Sequence, residues 1–238
     1  MTMFDWVPKQ FHRLPNGFLL PVEEQIRTWY KAGRQMKWGI GKAAFAAIGP
    51  PPRLTEGDRA DGFSGVILSH GFGDDGQGNA DAVLSGRLAW AYARKRRRGR
   101  TWQCRYIEFG KSDHLRLRPG AHPRPKGFYF SKYRHGDGFL DLTVASYLKN
   151  LTRDTGCGPE GVQLLSVTHP HLAGLMNQRK IAFMAFADYE VAPYGHNDFF
   201  DATQMFCSNK MLGLGIGNVD RNYPMFGIPT LRFSGDDS

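Results

Sequence analysis

The chain has 238 residues, 41% of them hydrophobic and 13% aromatic, which is enough apolar material to offset chain entropy and excludes wholesale disorder. No run approaches the roughly 18 to 20 apolar residues of a membrane helix, and the start MTMFDWVPKQFHRLP lacks a signal-peptide layout. The three cysteines, Cys104, Cys157 and Cys207, form no CxxC pair, which argues against a disulfide framework or a cysteine zinc site and suits a cytoplasmic protein without membrane attachment.

The formal net charge of +9 is unevenly spread. Residues 1–86 balance nine basic against nine acidic side chains, and residues 136–238 hold seven against eleven. Residues 87–135 hold fifteen Lys or Arg against only Glu108 and Asp113. A block of one sign is the footprint of a polyanion partner, because neutralising phosphates releases condensed counterions.

In chain order, Ile26, Trp29, Tyr30 and Gly33 recur near helical spacing and predict a helix over 22–36. Gly49-Pro50-Pro51-Pro52 then breaks the chain, so residues 1–62 read as a helical N-terminal appendage. GVILSH (65–70) predicts a buried strand, and a Gly-rich loop follows it. That loop contains a formal GxGxxG, but Asp74 and Asp75 would sit against an anion, which disfavours a dinucleotide site. Asp75, Gln77, Asn79 and Asp81 offer alternate oxygens that a Ca²⁺ ion could use, although a capped turn explains them as well.

A helix fits 80–96, strands fit 101–109 and 127–133, a helix fits 140–151, and VQLLSV (162–167) reads as a buried strand. This order over residues 63–168 predicts an α+β protein with a ferredoxin-like βαββαβ core. Residues 169–238 read as a C-terminal α/β extension: a short helix near 172–178, a strand at 181–186, a helix over 198–208, and two strands, MLGLGI and PTLRF.

Lys126-Gly127-Phe128-Tyr129-Phe130-Ser131-Lys132-Tyr133 resembles the third-strand signature of the RNA recognition motif family, with Lys126, Gly127, Phe128, Phe130 and Tyr133 at matching positions. The resemblance implies RNA or single-stranded DNA as partner, with rings stacked on bases. Independently of the family, residues 128 and 130 of a strand share a face, so two rings can meet successive bases. Arg94, Lys95, Arg96, Arg97, Arg98 and Arg100 end the preceding helix. Together with Arg105, Lys111, Arg116, Arg118, Arg124, Lys126, Lys132 and Arg134, they suit a groove that tracks phosphates. Gly213, Gly215, Gly217 and Gly227 resemble the glycine-rich C-terminal loop of CRISPR repeat-associated RNA-binding proteins, which implies a place among the subunits of a ribonucleoprotein.

Two enzyme readings stand beside the binding one. His70-Gly71 with Gln103-Cys104-Arg105 resembles the His-Gly and Gln-Ala-Cys pattern of caspase-like proteases, but Cys104 sits inside a basic alternating strand. His169, His171, Asp188 and His196 have ligand chemistry for a divalent metal, with Glu190 and Asp198 nearby, and would serve a metal-dependent hydrolase or nuclease. Such a pair resembles that of histidine-hydrophobe-histidine nucleases, for which Tyr189 or Tyr194 would supply the tyrosine. Apart from that metal, no cofactor is expected.

Overall fold

The computed structural model describes residues 19–40, 50–63, 65–69, 79–96, 103–104, 115–119, 127–135, 158–169, 183–192, 201–208, 211–218 and 226–233. Within them the chain is a mixed α+β protein built on one eight-stranded sheet.

Helix α1 (Val22–Met36) places Glu23 and Glu24 in its first turn and Arg34 in its last, charges that complement the helix dipole. Its buried face is Gln25, Trp29, Ala32 and Gly33, the i, i+4, i+7, i+8 spacing of one helical stripe. The helix stops because Lys37 turns left-handed at φ 58°, and the Trp38 amide reaches back to the Gly33 carbonyl at 3.0 Å. A one-and-a-half-turn helix, α2 (Glu56–Ala60), follows. Its capping box is reciprocal: the Asp58 amide donates to Thr55 Oγ1 at 3.1 Å, and the Thr55 amide donates to Asp58 Oδ2 at 2.8 Å.

Helix α3 (Asn79–Arg96) buries Ser85, Ala89, Trp90, Tyr92 and Ala93. Gly86 lies in its middle, where glycine costs about 1 kcal/mol relative to alanine. The local packing explains it: a Cβ built there would stand 2.7 Å from the Pro159 carbonyl oxygen. Pro159–Gly161 is a 3₁₀ turn that runs through Val162 and Gln163 into a π-helical turn, Leu164–Thr168, closed by the His169 amide on the Leu164 carbonyl at 2.7 Å.

The strands are β1 (Gly65–Ser69), β2 (Gln103–Cys104), β3 (Leu115–Leu117), β4 (Gly127–His135), β5 (Phe183–Val191), β6 (Asp201–Ser208), β7 (Met211–Asn218) and β8 (Phe226–Phe233). Their order across the sheet is β1-β4-β8-β5-β6-β7-β2, with β3 on β5 beside this path. Neighbours are antiparallel except β5 with β8 and β2 with β7, which are parallel. The pairing of β5 with β6 shifts register between Phe186 and Val191, an irregularity that overlaps the residues of β5 paired with β3. Trp29, Leu68, Tyr92, Phe186 and Met205 are the largest fully buried side chains.

The expected helix over 22–36 forms with those bounds, and the expected strands at 65–70, 127–133, MLGLGI and PTLRF all appear. Two expectations are corrected. VQLLSV is helical, because a short apolar run enclosed on every side carries no period that separates strand from helix. Val162, Gln163, Leu164, Ser166, Val167 and Thr168 are all buried, and the turn packs among α1, α3 and β1. Residues 201–208 form a strand instead of the helix read over 198–208, because β6 is hydrogen-bonded on both edges, to β5 and to β7. There, tertiary pairing outweighs local propensity. The helices expected at 140–151 and 172–178 and the loop 71–78 lie outside the described residues, as does most of the strand read at 101–109, of which only Gln103 and Cys104 are described.

Candidate functional site

The basic segment enters the described structure at the C-terminal end of α3. Arg94, Lys95 and Arg96 are all exposed, in a last turn whose unsatisfied carbonyls favour cations. Two of the three also have structural contacts. Lys95 Nζ donates to the Gln35 carbonyl in the last turn of α1. The Arg96 guanidinium lies over the Tyr92 ring, 5.7 Å from its centroid, a cation–π arrangement. Tyr92 meets Trp38 edge-on at 5.8 Å, and Trp38 lies 6.5 Å from Trp29, so an aromatic series ties the end of α3 to the middle of α1. Burial pushes the Tyr92 phenol above its ordinary pKa, with the Arg96 charge pulling partly the other way.

Strand β4 carries Phe128, Phe130, Lys132 and Tyr133. Register sets Phe128 opposite Leu68 and Phe130 opposite Val66 on β1, and directly opposed residues share a face of the sheet. Leu68 is buried and Val66 half-buried. On its other edge β4 sets Phe130 opposite Arg232 and Lys132 opposite Thr230. Arg97, Arg98, Arg100, Arg105 and Lys126 lie outside the described residues.

Two arginines expected in the phosphate groove are placed otherwise. Arg118 is 4% exposed, and its Nη1 donates to Glu190 Oε1 at 3.0 Å. Arg116 Nε donates to Glu190 Oε2 at 2.6 Å, with its side chain half exposed. Register pairs Arg116 directly with Glu190, and the Arg118 amide donates to the Asp188 carbonyl at 2.8 Å. Arg118 is therefore a buried structural cation, removed from the set that faces solvent. Sequence inspection missed this because nothing marks Leu115–Leu117 as a strand except the alternation Leu-Arg-Leu-Arg, which is short enough to pass for a loop.

Of the metal-ligand candidates, His169 is fully buried at the end of the π-helical turn. Its Nδ1 lies 2.9 Å from Thr168 Oγ1, whose hydroxyl donates to the Leu164 carbonyl at 3.3 Å. The hydroxyl and the ring nitrogen share one hydrogen bond, whose direction follows the ring tautomer. Asp188 is buried on β5. His171 and His196 lie outside the described residues, and among the described residues no group of three or more His, Cys, Asp or Glu is placed to hold a metal ion. Cys104 pairs in register with Leu214, in the two-residue strand at the edge of the sheet, and His70 is outside the described residues.

No helix of the described residues is long and apolar enough to cross a membrane. Comparison of the chain with protein-family models, with curated proteins and with solved structures finds no match.

Proposed function

We propose that this protein binds single-stranded nucleic acid, RNA or DNA, without acting on it chemically, as a subunit of a ribonucleoprotein. The carrying observation is the charge of residues 87–135, fifteen basic side chains against two acidic. The first of these cations to appear in the structure as a group, Arg94 to Arg96, stand exposed on one helix end. A helix C-terminus accounts for one or two cations and Glu190 for Arg116 and Arg118, and a polyanion accounts for the rest. Phe128 and Phe130, two residues apart on β4, are the aromatic pair offered to bases in this reading.

The ferredoxin-like reading is supported by one unit, the antiparallel pair β1–β4 with α3 lying between them in the chain. A helical segment stands where that fold would have its fourth strand, so the reading concerns this unit alone.

The test is a titration of labelled single-stranded RNA and DNA oligonucleotides followed by anisotropy across a salt series. Binding should weaken linearly in log salt. Replacing Arg94, Arg97 and Arg98 with Gln should lower the slope by about 2, at roughly 0.7 per phosphate contact on a single strand. Arg96 is spared because it covers Tyr92. Salt-independent binding, or none, would rule the function out.

A further inference from the structure

Helix α1 comes from a segment whose charges cancel, yet the fold separates them. Glu23 and Glu24 sit in its first turn. Arg27, Lys31 and Arg34 follow at i, i+4 and i+7 and are all exposed, one stripe along the helix opposite the buried Gln25, Trp29 and Ala32. The left-handed Lys37, also exposed, extends the stripe past the helix end. Among the described residues, none of these four cations forms an ion pair with a carboxylate, although Glu23 stands four residues before Arg27.

The same end of α1 is where α3 arrives. Lys95 donates to the Gln35 carbonyl, the residue after Arg34, and Trp38 packs on Tyr92. The fold therefore gathers Arg34, Lys37, Arg94, Lys95 and Arg96 around one helix–helix joint with no carboxylate paired to any of them among the described residues. The two helix C-termini relieve part of that repulsion. They do not reach Arg27 and Lys31, since the dipole effect fades within the last turn.

We infer that the exposed stripe Arg27, Lys31 and Arg34 is a second wall of the nucleic-acid surface, continuous with the basic end of α3, and that it holds the phosphodiester backbone of the bound strand. This rests on the proposed function and extends it to a helix that the segment-by-segment charge count assigns no role. Steps of about 4.5 to 6 Å along the helix between successive cations suit a backbone laid along α1, with sequence read elsewhere.

Two matched double variants decide it. Lys31→Gln with Arg34→Gln removes two cations of the stripe, and Arg53→Gln with Arg59→Gln removes two exposed cations near α2. Both are titrated with single-stranded RNA, single-stranded DNA and anionic phosphatidylserine vesicles over a salt series, with thermal midpoints measured alongside. The stripe variant should keep its midpoint, lose about 1.4 from the salt slope on the oligonucleotides, and bind roughly tenfold or more weakly at low salt. The α2 variant should match the parent. A parental slope in the stripe variant overturns the inference and leaves the proposed function standing. An equal fall in both variants reduces it to net charge and overturns it. Tighter salt-dependent binding to vesicles than to either oligonucleotide overturns the assignment to nucleic acid. A parent that binds no oligonucleotide removes the proposed function and this surface with it.

Discussion

Leu68 donates its amide to Gln25 Oε1 at 2.9 Å as it would to a neighbouring strand. The same side chain completes the imitation, because Gln25 Nε2 donates to the Val66 carbonyl at 2.7 Å and also to the Leu20 carbonyl at 2.8 Å. The Trp29 indole then donates to the Leu68 carbonyl at 3.2 Å. Strand β1 ends the sheet, and a free edge is a template for unwanted pairing. One fully buried glutamine and one tryptophan close it.

Gln25→Met should therefore strand the buried Leu68 amide and leave the carbonyl of the half-buried Val66 without this donor. At about 1 to 3 kcal/mol for each unsatisfied group, chemical denaturation should show a loss of several kcal/mol. Exchange of the Leu68 amide should accelerate well beyond what the stability change alone gives. A loss under about 1 kcal/mol would mean that water replaces the side chain.

Gly86→Ala tests the contact between α3 and the Pro159 turn. Helix propensity alone predicts a gain of about 1 kcal/mol. The new methyl would instead meet the Pro159 carbonyl oxygen, a backbone atom that cannot rotate away. The expected result is a net loss of about 1 to 3 kcal/mol, read as a lower denaturation midpoint; a gain would show that the two segments are separable at little cost.

Glu190 links one buried and one half-exposed arginine. Glu190→Gln removes the carboxylate that compensates Arg118, and breaking a buried pair costs about 3 to 5 kcal/mol. Arg116→Ala, on the exposed side, should cost about 1 kcal/mol or less. Equal losses for the two variants would mean that Arg118 finds compensation elsewhere.

The raised pKa of Tyr92 has a definite sign in stability. Its neutral phenol is favoured in the folded state, so the contribution is fully present below the ordinary tyrosine value of 10.0 and is lost as pH rises through the higher folded value. Ultraviolet titration of the parent against Tyr92→Phe should show that the phenol lost in the variant ionises late in the parent. Arg96→Ala should delay it further, since the guanidinium lowers the pKa, and Tyr92→Phe should flatten the alkaline stability limb.

Legibility in the sequence followed the strength of the local period. Helix α1 was readable because Ile26, Trp29, Tyr30 and Gly33 keep a helical repeat and Gly and Pro end the segment that follows. Val162–Val167 was not, since a run buried from all sides alternates with neither period. Asp201–Ser208 carried its strand signal in Thr203 and Met205, both fully buried around the half-buried Gln204, a pattern that appears only once burial is known. For the candidate site, the excess of charge was legible and its disposition was not. Arg118 is consumed by a carboxylate more than seventy residues away in sequence, and the Arg27, Lys31 and Arg34 stripe was concealed by adding Glu23 and Glu24 to the same sum.

The order of strands has a consequence for how the molecule is made. Strand β8 is the last of the eight in the chain, yet it lies between β4 and β5. Until it leaves the ribosome, β1 with β4 and β5 with β6, β7 and β2 are two sheets with nothing hydrogen-bonded between them along the strand order. A newly synthesised chain must hold both inner edges open while some forty residues after β5 emerge, the long-range closure that slows folding and exposes strands to mispairing. Shielding β1 with Gln25, a residue made early, takes that outer edge out of the competition during the wait.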